Sequence, residues 1–242
     1  MIDSGMLDTD LPAPDNSSTT TARGKGTTVD RVFLHLKEGI LCGRYAPGQR
    51  LIEADLTREL EVSRGPLREA FRKLTAEGLV ESVPNRGAIV RRLSHRETQE
   101  LFQIRMALEA LSARLAAENI SDPEVRDRFE ESIKRIWDNE PRFAAVNYLD
   151  ENRVFHQAVA DASGSERLSA LCRQMQLPLI MMQLSGALTP ETLALSNQEH
   201  RRIAKAILTG NPKDASAEME AHLDRARRFA ENLPTAIFRA PE

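Results

Sequence analysis

Residues 63–93 read SRGPLREAFRKLTAEGLVESVPNRGAIVRRL. The stretch opens on Ser63, a helix-capping residue type, and Pro66 falls within the first turn, where its missing amide hydrogen costs nothing. Leu67, Ala70, Phe71 and Leu74 then recur at helical spacing until Gly78 stops the run. LVESV and AIVRR follow as two short strand-like runs, joined by the turn residues Pro84-Asn85-Arg86-Gly87. The spacing predicts a helix and then a hairpin.

Toward the N-terminus, Val29, Val32, Phe33, Leu36, Ile40 and Leu41 keep helical spacing up to Gly43. Pro47-Gly48 marks a tight turn, and Glu53–Leu60 reads as a short second helix. Three helices and a hairpin, with Glu61-Val62-Ser63 as the turn, is the order of a winged helix-turn-helix. In that arrangement the helix after the turn enters the major groove and the wing meets the backbone or minor groove. Arg64 and Arg68, four residues apart, share a face beside amides that can hold a phosphate. An arginine there can bind guanine bidentately or clamp a phosphate. Taken on charge alone, pairing of the same arginines with Glu53, Glu69 or other nearby carboxylates on a solvated face is the favoured reading. The ordering of cap, helix and wing favours DNA.

The charge distribution agrees. Residues 28–93 carry 12 Lys and Arg against 9 Asp and Glu, while the chain as a whole is at −3. A mildly basic module on an acidic body fits contact with nucleic acid through a local patch. Aromatics are only 5%, too few for base-stacking platforms on single strands. Cys42 and Cys172 stand far apart and form no CxxC pair, so they read as two reduced thiols. No apolar run reaches the ~20 residues of a membrane span and the start lacks a signal peptide, so a cytoplasmic location is expected.

Toward the C-terminus the pattern is helical throughout. Ser94 and Glu97 form a capping box, and Leu101, Ile104, Leu108, Leu111 and Leu115 make one apolar stripe. Further helices are expected over about 123–138, 142–162, 166–186, 190–209 and 213–232. The fold class is therefore mainly α, a winged helix-turn-helix over 28–93 followed by an antiparallel six-helix bundle over 94–233. A Ser/Thr/Asp-rich disordered tail (1–27) precedes it and a loose tail (234–242) follows.

His156, His200 and His222 lie on three different expected helices, and Asn152 sits four residues before His156 on the same face. Three imidazoles and an amide oxygen converging inside a bundle would bind a divalent cation. Periodicity alone does not bring them together, and a hydrogen-bonded core histidine is the plainer reading of each.

The run from Gly43 to Ser94, with its PG turn, VSR-x-PLREA and NRGA wing in order, resembles the DNA-binding module of GntR-type regulators. The resemblance covers roughly 28–93 and implies DNA contacts from Ser63, Arg64 and Arg68, with Asn85, Arg86 and Gly87 at the wing tip. It also implies that Gly65 and Pro66 approach the backbone, and that Arg50 touches a phosphate. Residues 94–232 resemble the all-helical FCD effector domain, and six helices resemble its VanR-like subgroup. That family's D-x-x-F-H, E-H and H-L motifs fall on Asn152, His156, His200 and His222. The resemblance thus implies a zinc, nickel or similar ion beneath an effector cavity. Asn152 departs from the usual Asp, and a neutral amide is the weaker ligand. Arg105 matches an arginine that can point into the effector pocket, although an ion pair with Glu109 four residues on is an equal alternative.

A homodimer on a palindromic double-stranded operator is expected, repressing until a small organic acid binds. An enzyme is not expected, because the histidines lack a dedicated general base and hydrolysis would not explain the winged module. The alternative is an architectural, ligand-independent DNA-binding dimer with a structural helical domain.

Overall fold

In the computed structural model, which describes residues 27–83, 87–138, 145–175 and 177–240, the first helix, α1 (Thr28–Leu41), starts at a capping box between Thr27 and Asp30. Short α2 (Glu53–Glu59) leads through the turn into α3 (Arg64–Ala76). Val32, Leu36 and Ile40 of α1 pack on Leu67, Phe71 and Leu74 of α3. Each such buried side chain contributes about 1.5–3 kcal/mol. Lys73 reaches back to Asp30 at 2.6 Å and ties the two helices.

Beside them lies a three-stranded antiparallel sheet in the order β1 (Arg50–Leu51), β3 (Gly87–Val90), β2 (Val80–Val83). The hairpin β2–β3 follows the expectation. The two-residue β1 is too short to leave a period in the sequence, and Leu51 pairs with Ala88. Gly87 adopts φ +106°, and a Cβ there would run into the Leu51 carbonyl, so the wing needs glycine at this position.

The bundle begins at the Ser94–Glu97 capping box and the long α4 (His95–Asn119). It continues through α5 (Pro123–Ile133), α6 (Ala145–Ala162), α7 (Glu166–Gln174), α8 (Leu177–Leu184), α9 (Pro190–Leu208) and α10 (Pro212–Glu231). The single helix expected over 166–186 is two helices. Pro178 has no amide hydrogen to give a carbonyl one turn back, so α7 ends and α8 restarts with the proline in its first turn. The described bundle therefore has seven α-helices rather than six, which removes the feature behind the subgroup resemblance.

The apolar stripe of α4 does not face the core. Ile104 and Leu111 are exposed and Leu101, Leu108 and Leu115 half-buried, while the inward face carries Phe102, Arg105, Glu109, Ala113 and Ala116. Small residues there let α10 lie close along α4. The main core joins Phe129 and Ile133 of α5, Phe155 and Val159 of α6, Ile203 and Ile207 of α9, and Met219 and Leu223 of α10.

The C-terminal segment, expected loose from 234, is docked through Arg239. Thr235–Ile237 forms a 3-10 turn, and Phe238 is buried with Leu93, Phe102, Leu179 and Leu184. The Arg239 amide donates to the Leu93 carbonyl at 3.0 Å, and its guanidinium reaches Glu81 of β2 and Glu97 of α4. Phe238, with half-buried Ile237 beside it, seats the segment at the junction of the two modules.

Candidate functional site

Two sites stand out. At the start of α3, Ser63 is the N-cap residue by backbone geometry but its hydroxyl makes no capping bond. Ser63, Arg64, Gly65 and Arg68 are exposed on one end of the helix, and Pro66 is half-buried. Nothing lies within 4 Å of a Cβ built on Gly65, so its backbone is open to close approach. Arg64 forms no ion pair among the described residues. Arg68 is held by Glu53 through Nε at 3.0 and 3.1 Å, and about half of its side chain stays exposed. Arg72 pairs with Glu69. The alternative ion pair is thus present for Arg68 and absent for Arg64. Arg50 is exposed on β1, opposite Ile89 of β3. Gly87 ends the wing turn, and Asn85 and Arg86 lie outside the described residues.

The second site lies inside the bundle. Asn152 and His156 share a face of α6 one turn apart, His200 comes from α9 and His222 from α10, all four buried. The ligand atoms of the three imidazoles lie within 4.8 Å of one another. His200 stacks on Phe155 with ring centroids 4.1 Å apart, which holds that ring in place.

Two of the imidazoles are oriented by carboxylates. His156 Nδ1 meets Glu109 Oε2 at 2.5 Å, and Glu109 Oε1 accepts from Arg105 Nε at 2.7 Å. His222 Nδ1 meets Glu199 Oε2 at 2.8 Å, and Arg225 clamps the same carboxylate at 2.5 and 2.6 Å. Burial pushes Glu109 up, but the Arg105 guanidinium and His156 outweigh it and hold the carboxyl below its ordinary range. Glu199 is likewise pushed up by burial and pulled lower overall by His222 and Arg225. Burial drives His222 down to about 4, so its ring is neutral near pH 7. An ionised carboxylate only accepts, so each of these Nδ1 atoms carries a hydrogen, and on the neutral His222 ring Nε2 keeps its lone pair.

This donor set fits a divalent ion. Three buried imidazoles, two with a carboxylate at Nδ1, form the arrangement that fixes ring orientation and raises ligand basicity in metal sites. Asn152 adds an amide oxygen, to which the Tyr148 hydroxyl lies at 3.4 Å; the same hydroxyl donates to Ser196 at 2.5 Å. Glu199 and Arg225 are not singled out by the sequence, and Glu109 only as an ion-pair partner of Arg105. Glu199 directly precedes His200, but only the approach of α10 turns it toward His222.

Above the histidines is a cavity of about 40 Å³ lined by Arg105, Tyr148, Asn152, His156, Ser196 and Arg225, among others. That is room for a few water molecules. Arg105 therefore does both things open to it: it pairs with Glu109 and it lines the cavity. On the far side, Glu109 and His156 also border a cleft of about 550 Å³ whose opposite wall is α1 of the winged module.

Comparison with known proteins agrees with this architecture. Residues 28–90 match the bacterial regulatory proteins of the gntR family, and residues 100–225 match the FCD domain. The "Probable D-xylose utilization operon transcriptional repressor" of Paenarthrobacter nicotinovorans is 32% identical, over 75% of this chain and 79% of the relative. The "HTH-type transcriptional repressor GlaR" of Escherichia coli is 29% identical, over 78% and 89%. Escherichia coli McbR/YncC shares the fold at a TM-score of 0.73 and 21% identity, over 85% of this chain and 98% of that one. With one match spanning the winged module and the other more than half of the chain, the protein belongs to the gntR family of bacterial regulatory proteins, as a DNA-binding transcription regulator with an FCD domain rather than an enzyme.

Proposed function

We propose that the chain is a transcriptional repressor that binds a palindromic operator as a homodimer and is released by a small organic acid seated over a divalent metal. Asn152, His156, His200 and His222 would hold the metal, zinc or nickel by donor type. The observation that carries this reading is the convergence of the three imidazoles, two of them tautomer-locked by carboxylates, beneath a cavity lined by Arg105 and Arg225. A bound divalent ion supplies a Lewis-acid anchor for a carboxylate. The residues do the rest: Arg105 and Arg225 offer guanidinium forks to an anion, and Tyr148 and Ser196 offer hydroxyls to a second polar group.

On the DNA side, Ser63, Arg64, Gly65, Pro66 and Arg68 would meet the major groove, Asn85, Arg86 and Gly87 the backbone or minor groove beside it, and Arg50 a phosphate. The 40 Å³ cavity is too small for an organic acid, so a ligand must displace lining side chains, among them Met181 and Leu184 of α8. Leu184 packs in the cluster that holds Phe238 and Leu93. Ligand entry thereby acts on the junction of the two modules and biases how they sit, which is what a change in operator fit requires. The relatives described as repressors support the sign.

The test is a thermal-shift screen of purified protein with small carboxylates, before and after chelation and with zinc or nickel restored. A ligand at about 100 times its Kd stabilises by roughly 2.7 kcal/mol. A stabilising acid whose effect vanishes on chelation and which weakens operator binding supports the reading. If no acid shifts the protein and chelation changes nothing, the helical domain is a structural dimerisation module and the regulator is ligand-independent.

A further inference from the structure

We propose that the outward face of α4 is the homodimer seam, packing antiparallel on the same helix of a second copy about Ala107. The inference rests on the homodimer reading above and supplies its surface and register.

The first observation is the misplaced stripe. Ile104 is 48% and Leu111 37% exposed, and half-buried Leu108 and Leu115 continue the apolar line along the outward side of the longest helix, while Leu101 at its end also packs on the cluster around Leu93. Its 3,4 spacing is that of a helix-to-helix seam. Scattered apolar residues on a surface are ordinary, but a contiguous line of them marks an interaction face. α7 widens it: Cys172 touches Ser112 of α4 at 3.7 Å, and its neighbour Leu171 is exposed.

The second observation is the charge pattern at the ends of this face. Arg96 pairs with Glu100 at 2.8 Å, and Arg114 with Glu118 at 3.0 Å. Glu100 and Arg114 stand seven residues either side of Ala107, and Arg96 and Glu118 eleven either side. All four and Ala107 are exposed. In an antiparallel pair related by a two-fold axis at Ala107, positions equidistant from it meet. Glu100 then faces Arg114 of the second copy, and Arg96 faces Glu118, along about 33 Å of helix. A parallel pair would set Arg96 against Arg96 and Glu100 against Glu100, and like charges in register repel. Ala107 at the centre, with its small side chain, lets the helices approach.

The half-swaps that reverse one end of the face decide the matter. One variant carries Arg96→Glu with Glu100→Arg, the other Arg114→Glu with Glu118→Arg. Each keeps its own intrahelical pair and touches only exposed residues, and circular dichroism verifies the fold. Sedimentation equilibrium of the full chain should give a dimer for the unaltered protein and at least roughly ten-fold weaker self-association for either variant alone. Mixing the two should restore dimers, because every cross-pair is again opposite in sign, and native mass spectrometry should find them to be heterodimers. If both variants dimerise as the parent does, or if the mixture gains nothing, the seam or its register is wrong while the homodimer stands. If the unaltered chain is a monomer at all concentrations, the homodimer reading itself falls and the face belongs to a different protein.

Discussion

The tip of α3 and the histidine cluster of the bundle are built on opposite principles. At the tip, Arg64 stands exposed with no ion pair among the described residues, and Arg68 is steered by a single carboxylate. In the bundle, Glu109 is shared between Arg105 and His156, and Glu199 between Arg225 and His222. The contrast follows from solvation. An exposed guanidinium is kept soluble by water and loses little by waiting for a phosphate or a guanine. A buried charge has no water, so it persists only where the fold supplies a partner of opposite sign. The first kind of site tolerates change without cost to the fold, and the second does not.

The largest test of that contrast is Glu109→Ala. It strands the Arg105 charge in the core and removes the His156 acceptor, so denaturant unfolding should report a loss of about 3–5 kcal/mol. Adding Arg105→Met should recover much of it, because the stranded charge goes too. The counterpart at the tip is Arg64→Ala, expected to weaken operator binding by about 1–3 kcal/mol in a salt-controlled mobility-shift titration while leaving unfolding within about 0.5 kcal/mol of the parent. A stability loss as large as that of Glu109→Ala would erase the distinction between the two sites.

Smaller effects probe the elements between the sites. Burial pushes the Glu97 carboxyl up, but the Ser94 cap and Arg91 outweigh it and hold it at about 2. A depressed carboxylate stabilises fully above its unfolded value of about 4.5 and loses that contribution as pH falls toward 2. Glu97→Gln should therefore flatten the acid limb of the stability curve between those values and cost most near neutrality. The smallest change is Glu61→Gly. Glu61 is the only described non-glycine residue with positive φ, at 51°, and sits in the turn before α3. Glycine there should raise the melting temperature slightly, by an equivalent of up to about 1 kcal/mol.

The winged module was legible because its signals are local. A cap, a proline in a first turn, a helical period and turn residues act within a few positions, and α1, α2, α3 and the hairpin follow them closely. The bundle was legible as helices but less so in its faces. Counting apolar residues finds the Leu101–Leu115 stripe but does not say which way it faces. The helix instead buries Arg105 and Glu109, whose charges are met by partners on the same helix and on α6. The docked end of the chain was missed for a similar reason: PTAIFRAPE is short, proline-flanked and without a periodic pattern, and Phe238 finds a pocket only once α8 and α10 stand beside Leu93.

What the sequence determined by itself is the order and type of the elements, the helix-turn-helix with its wing, and the identity of the histidines, because each is written in residue types at fixed short spacing. The tertiary structure decided which face of α4 is inside and which imidazole nitrogens meet a carboxylate. It also decided that a tail closes the junction. Those outcomes depend on charges and rings brought together from positions up to 158 residues apart, as Arg239 and Glu81 are, and no local pattern encodes a partner at that distance.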